Sequence, residues 1–290
     1  MSGRTRRAAG VAAALGLAPL LGGCALSAGD SFAEVSATLE ARLAPAPDRD
    51  LGGGWQRLNT DFAVRFARAE LTLERVELQD LGAGGESLGF DPASPPPGYG
   101  LCHNGHCHRD DGALVSYEDI AAELAGGGAS AARTLVALPV GPTDLLAPAP
   151  RALPCDPSCG LPRAHLGRAR LTPARLVLEG AARDEREPAR FPGEVPFTLD
   201  LLLPADGTGV LHLDVPLDAP ADRDAPPGID LALTFTTTAR LLDGVPLDAL
   251  GGAGGLIDLD APAGEAARDE IRLNLAESEL SAEVTRHDDL

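Results

Sequence analysis

The chain has 290 residues, 44% of them apolar and 3% aromatic, with 34 Gly, 25 Pro and a formal net charge of −19. An ordinary apolar fraction excludes wholesale disorder, and so acidic a balance argues against a nucleic-acid partner, because such binding rests on neutralising phosphates. All 24 basic residues are Arg and none is Lys, a usage that reads, with the surplus of Ala, Gly and Pro, as GC-rich coding background.

Arg4, Arg6 and Arg7 open the chain, Ala8 to Leu21 is almost wholly apolar, and Leu21-Gly22-Gly23-Cys24 closes the segment. A charged start, a short apolar stretch and small residues at its end predict a secretory signal. At ~1.5 Å per residue the apolar stretch spans roughly 21 Å, short of the ~30 Å hydrocarbon core, so a permanent transmembrane helix fits less well. Leu21-Gly22-Gly23-Cys24 resembles the lipobox of bacterial lipoproteins. The resemblance implies removal of residues 1–23, lipidation of the Cys24 thiol, and acylation of its new amine. It also implies an anchor in the outer membrane of the cell envelope, with the protein facing the periplasm or the exterior. Residues 24–32 then form a tether. Beyond the signal the chain carries 21 Arg against 43 acidic residues, a formal −22. Such a surface repels anionic headgroups and attracts cations only diffusely.

From residue 33 onward the chain reads as strands. Val35, Ala37, Leu39, Ala41 and Leu43 alternate with Ser36, Thr38, Glu40 and Arg42, the period of a half-buried strand. Phe62, Val64 and Phe66 repeat the pattern, but the phase slips to Leu71 and Leu73 and again to Val76 and Leu78. Slips of this kind predict bulges or bends. One helix is expected near 117–125, capped by Ser116 with Asp119 three residues on and with Ile120 and Leu124 on one face. Further alternation runs through 197–203, 211–217, 229–235 and 271–275, separated by turn clusters such as Asp206-Gly207-Thr208-Gly209. The expected fold is mainly β: an antiparallel sandwich spanning 33–290, in one piece or in two halves (33–140 and 160–290), with one short helix and long loops.

A short internal similarity bears on the two-halves reading. Residues 67–78 and 167–178 share Arg, Ala, Leu, Thr, Arg and Leu at matching positions, six identities in twelve at an offset of 100. Pro173 replaces Leu73, which predicts an edge strand or a break in the second copy.

Residues 79–113 show no strand pattern, and the chemistry concentrates in the loop 95–113, which Pro95-Pro96-Pro97 opens. Cys102-His103-Asn104-Gly105-His106-Cys107-His108 holds two of the four Cys beyond Cys24 and three of the six His. Cys155 and Cys159 form the other pair, with His165 close behind. Three readings compete. In the first, His103, His106 and His108 bind a transition metal, Cu or Zn, with His165, Asp110 or Asp111 beside them and Cys102 and Cys107 either as further ligands or as the disulfide that holds the loop in shape. Imidazoles suit both metals and thiolates favour Zn and Cu(I). In the second, Cys102–Cys107 and Cys155–Cys159 are local disulfides of an exported protein and the histidines are solvated. In the third, Cys102-x₄-Cys107-His108 resembles a long-spaced covalent haem attachment motif with His108 as axial ligand, although the usual spacing is two.

Other candidates point to structure. Gly85-Glu86-Ser87-Leu88-Gly89 matches a nucleophile elbow but lacks the helix that must follow. His212 is expected to face solvent from a strand, His287 to sit in a polar tail, and Trp55 to plug the core. Asp184-Glu185-Arg186-Glu187 reads as a solvated loop, and Asp258 and Asp260 lack calcium-loop spacing. No general base, nucleophile or phosphate cradle stands out, so the expected role is metal capture or handover without catalysis. The rival is a structural or protein-binding lipoprotein of the envelope with disulfide-pinned loops.

Overall fold

The computed structural model describes residues 31–81, 91–103, 106–124, 132–191, 193–203, 211–251 and 255–288. The lipobox with Cys24, the Gly85–Gly89 motif and the Asp206–Gly209 turn lie outside the described residues. Ser31–Leu290 form one compact unit. In chain order it contains β1 (Ala33–Leu43), β2 (Asp50–Gly52), β3 (Trp55–Arg57) and β4 (Phe62–Asp80), then β5 (Tyr99–His103), β6 (His106–Arg109), β7 (Leu114–Ser116) and α1 (Tyr117–Leu124). There follow β8 (Arg133–Asp144), β9 (Arg151–Leu153), β10 (Gly160–Leu161), β11 (Ala164–Asp184), β12 (Glu194–Leu202), β13 (Leu213–Ala221) and β14 (Gly228–Thr237). The chain closes with α2 (Leu247–Leu250), β15 (Ile257–Asp258), α3 (Glu265–Ala276) and β16 (Glu279–His287).

The fold is mainly β. A five-stranded sheet runs β10-β1-β14-β16 with β9 also on β1, and an eight-stranded sheet runs β15-β12-β11-β4-β3-β2 with β13 on β11 and β8 on β4. Apolar faces of both sheets meet in one core. Val35, Ala37, Leu39, Ile229, Leu231 and Leu233 come from the smaller sheet; Leu71, Leu73, Val76, Leu78, Leu171 and Leu176 come from the larger. Full burial of a Leu or Ile side chain stabilises by about 1.5–3 kcal/mol, so these stripes hold the two layers together. Most ladders are antiparallel, as expected. The exceptions are β1 beside β14, in register from Glu34↔Gly228 to Leu43↔Thr237, and the short β12–β15 pair.

The internal similarity has a structural meaning. Its two copies lie in β4 and β11 and pair antiparallel, with Leu71↔Leu176 and Val76↔Leu171 placed symmetrically about Leu73↔Pro173. Leu71 corresponds to Leu171 in the alignment and Val76 to Leu176, so the local pairing is two-fold. Strands from 33–140 and 160–290 therefore share one sheet, side by side, and meet at the β4–β11 ladder. The expectation of an edge strand at Pro173 is corrected: β11 is internal, and the register shifts on either side of Pro173. Its outer neighbour also changes there, because β13 ends opposite Leu171 and β12 begins opposite Arg175. Proline is tolerated where no outer ladder needs its missing N–H.

Two other expectations are corrected. Ile271, Leu273 and Leu275 belong to α3, where Ala267, Ile271 and Leu275 form the buried four-residue stripe of a helix. The stretch 79–113 is not strandless: β4 runs on to Asp80, and β5 and β6 join β7 in a small three-stranded antiparallel sheet. The helix expected near 117–125 is α1, with Ile120 fully buried but Leu124 51% exposed. Trp55 is buried as expected, and the guanidinium carbons of Arg65 and Arg183 stand 4.8 and 4.4 Å from its ring.

Candidate functional site

The small sheet presents the Cys/His motif. β5 and β6 pair so that Cys102 faces Cys107 and His103 faces His106, and β7 pairs on the far side with Cys107 opposite Val115. Cys102 and Cys107 are joined in a disulfide, as are Cys155 and Cys159. Both local pairings of the second reading are thus present. Neither Cys102 nor Cys107 is then available as a thiolate ligand, and neither sulfur can carry the thioether of an attached haem. The haem reading and the cysteine-ligand variant of the metal reading are corrected on this ground.

The imidazoles remain. His106 is 4% exposed and Cys107 is fully buried, so the base of the hairpin is packed. His108 follows on the same strand, with its ring centroid 5.6 Å from that of His106 and the rings inclined by 47°. This is the same-side placement expected of residues two apart in a strand. Nε2 of His108 lies 3.6 Å from Oε1 of Glu277, the residue that caps the C-terminus of α3. The side chain of His103 lies outside the described residues, although its backbone is placed opposite His106.

The remaining partners of the motif are structural. The Tyr99 hydroxyl donates to Oε2 of Glu123 at 2.5 Å, joining β5 to α1, and this hydrogen bond raises the pKa of Tyr99 above its ordinary value. Nε of Arg109 donates to both carboxylate oxygens of Asp111 at 3.0–3.1 Å, which holds Asp111 below the usual carboxylate range. Asp110 donates its backbone N–H to Gly98 O at 3.0 Å. His165 lies on β11 opposite Pro220 of β13, with Nε2 2.9 Å from Oδ1 of Asp218. Among the described residues no three His, Cys, Asp or Glu side chains stand together in a metal-holding group. The Cys155–Cys159 loop docks on β8 through the Asp156 N–H, which donates to Ala137 O at 2.8 Å.

Sequence reasoning missed a buried polar network on the larger sheet. Arg168 and Asp214 are 5% and 9% exposed. Nη1 of Arg168 donates to Oδ2 of Asp214 at 3.1 Å, and Arg170 grips the same carboxylate through Nε at 2.9 Å and Nη2 at 2.8 Å. Nε of Arg168 donates to Oε1 of Gln79 at 2.9 Å. Burial pulls the Arg168 guanidinium below the usual arginine range, against the favourable field of Asp214. Beside this network, Nδ1 of His212 lies 3.2 Å from the Thr172 hydroxyl. His212 is therefore not solvent-facing as expected; burial and the nearby Arg170 charge lower its pKa. His287 is likewise no tail residue but ends β16, with Nε2 3.6 Å from Oδ2 of Asp230. Asp184, expected in a solvated loop, has its side chain fully buried under Arg186.

No protein-family model matches the chain, and neither the curated proteins nor the solved structures contain a match.

Proposed function

We propose that the chain is an envelope lipoprotein, anchored through lipid on Cys24, that captures a transition metal on the imidazoles of the β5–β6 hairpin and hands it on unchanged. The observation that carries the reading is the ring pair His106 and His108 on one strand of a disulfide-pinned sheet, with position 103 paired opposite His106. With metal–nitrogen bonds of ~2.0–2.1 Å, two imidazoles on one tetrahedral ion place their centroids roughly 5 Å apart. The His106 and His108 rings stand at 5.6 Å, within a small rotation of that spacing. On this reading the third donor is His103, whose backbone pairs opposite His106. Oxidation of Cys102 and Cys107 leaves an all-imidazole set, which suits Zn or Cu(II) better than Cu(I). Glu277 is placed to orient His108, since metal-bound imidazoles commonly hand their second N–H to a carboxylate.

Metal content of the purified full-length protein, wild type against a His103→Ala/His106→Ala/His108→Ala variant, tests the reading. About one equivalent of Cu or Zn in the wild type and none in the variant supports it. Negligible metal in both overturns it in favour of a structural or protein-binding lipoprotein whose two disulfides pin its loops.

A further inference from the structure

We propose that a second site, built between the larger sheet and α3, binds a small amphiphile through its carboxylate or phosphate head. A cavity of about 600 Å³ opens there, lined by Arg175 of β11, Asp200 and Leu202 of β12, Asp260, and Arg268 and Arg272 of α3. That volume falls within the roughly 300–1,000 Å³ of small-molecule sites.

Its positive charge is local and held in place. Three guanidinium groups and two carboxylates, Asp200 and Asp260, line the site, a local excess of one positive charge in a chain whose net charge is −19. Arg268 and Arg272 stand four apart on α3, each following a residue of the buried stripe (Ala267 and Ile271), so both project along the same edge of the helix. Nη1 of Arg268 donates to the carbonyls of Leu259 at 2.6 Å and Ala261 at 3.0 Å. These neutral acceptors fix the guanidinium without cancelling its charge, and Arg268 makes no ion pair among the described residues. Arg272 gives Nη1 to Asp269 at 2.5 Å, but its Nε is buried with no hydrogen-bond partner among the described residues. A buried donor left unmade costs free energy that an incoming acceptor recovers.

The opposite wall is equally set. Nε of Arg175 donates to Oδ1 of Asp200 at 2.6 Å and Nη2 donates to Oδ2, and Nη1 has no hydrogen bond among the described residues. Asp200 is positioned through its backbone N–H, which donates to both carboxylate oxygens of Asp260 at 2.9 Å. Guanidinium groups fixed in this way present directional donors suited to oxyanions. Directly across the ladder from Arg175 stands Leu202, 69% exposed and the most exposed of the large apolar side chains described. An oxyanion flanked by an exposed Leu selects a ligand with an apolar body behind its charged head. A carboxylate and a phosphate share this chemistry, and the probes below separate them.

Calorimetric titration of the full chain with octanoate, octyl phosphate, octanol and inorganic phosphate, all below micelle-forming concentrations, tests the site. Saturable binding of octanoate or octyl phosphate near one equivalent is expected, and whichever binds more tightly identifies the head. Octanol binds at least tenfold more weakly, Arg272→Gln weakens the preferred anion about tenfold, and Leu202→Ser weakens the octyl ligand without changing inorganic phosphate. The Arg272 Nε–H resonance of labelled wild-type protein shifts on saturation, a readout that needs no variant to fold. Octanol binding as tightly as the anions, absence of saturable anion binding, or an unmoved Arg272 signal overturns the proposal.

Discussion

Asp214→Ala removes the acceptor shared by two arginines in the interior of the larger sheet. The side chains of Arg168, Arg170 and Asp214 are 7%, 13% and 5% exposed. The substitution deletes three charge-assisted hydrogen bonds of 2.8–3.1 Å and leaves two like charges side by side, while the Arg168–Gln79 hydrogen bond stays. Stripping one partner from a buried pair costs about 3–5 kcal/mol, because the surviving charge is stranded away from water. In a chain of this length each kcal/mol shifts the melting midpoint by about 2–4 °C, so a fall of roughly 6–20 °C is expected. Glu179→Ala is the control: its pair with Arg68 has side chains 47% and 49% exposed. Exposed pairs contribute about 0–1 kcal/mol. Thermal and urea unfolding of both variants decide the matter. Equal, small losses would refute the claim that burial makes the Asp214 cluster matter.

Two further outcomes follow from the same sheet. His212 has a lowered pKa in the folded chain, so the unfolded chain takes up the proton more readily; stability is lost as pH falls through about 6.5, and His212→Gln flattens that part of the pH–stability curve. An unchanged slope in urea titrations at about pH 7.5 and 5.5 would contradict this. Gly180→Ala introduces a Cβ 2.7 Å from the Phe197 ring and against the Arg65 carbonyl, and is expected to cost about 1–3 kcal/mol in urea unfolding. A neutral result would show that β12 shifts freely from β11.

The strands legible in the sequence are those whose two faces differ. The alternation of residues 33–43 matches the burial of β1 position by position up to Ala41. The phase slips in 62–78 also correspond to real irregularities. The ladder between β4 and β11 shifts where Phe66 gives way to Arg68 and again around Leu73. β8 escaped notice because Pro139, Gly141 and Pro142 interrupt its pattern, although it pairs with β4 from Glu70↔Asp144 to Asp80↔Arg133. α3 is hidden in the sequence because Ile271, Leu273 and Leu275 mimic a strand period, while the helical stripe needs Ala267, a small residue with a weak signal.

At the candidate site the composition located the hairpin and left its shape hidden. Asn104-Gly105 between His103 and His106 is a two-residue hairpin signature, and weighed as one it would have placed His103 opposite His106. The choice between thiolate and disulfide rests on whether residues 102 and 107 face each other across a ladder, a matter of register rather than of local pattern. The Arg168–Asp214 cluster and the cavity beside α3 depend on residues 46 and 25 apart in the chain meeting across strands. Single-sequence periodicity carries no such pairing.

The central claim rests on three imidazoles acting together. Long-range nitrogen–proton NMR of the six histidine rings during a zinc titration tests it most directly. The account predicts that His103, His106 and His108 shift together and saturate near one equivalent, while His165, His212 and His287 stay in place. Histidine signals unmoved by zinc, or His165 responding first, would contradict it.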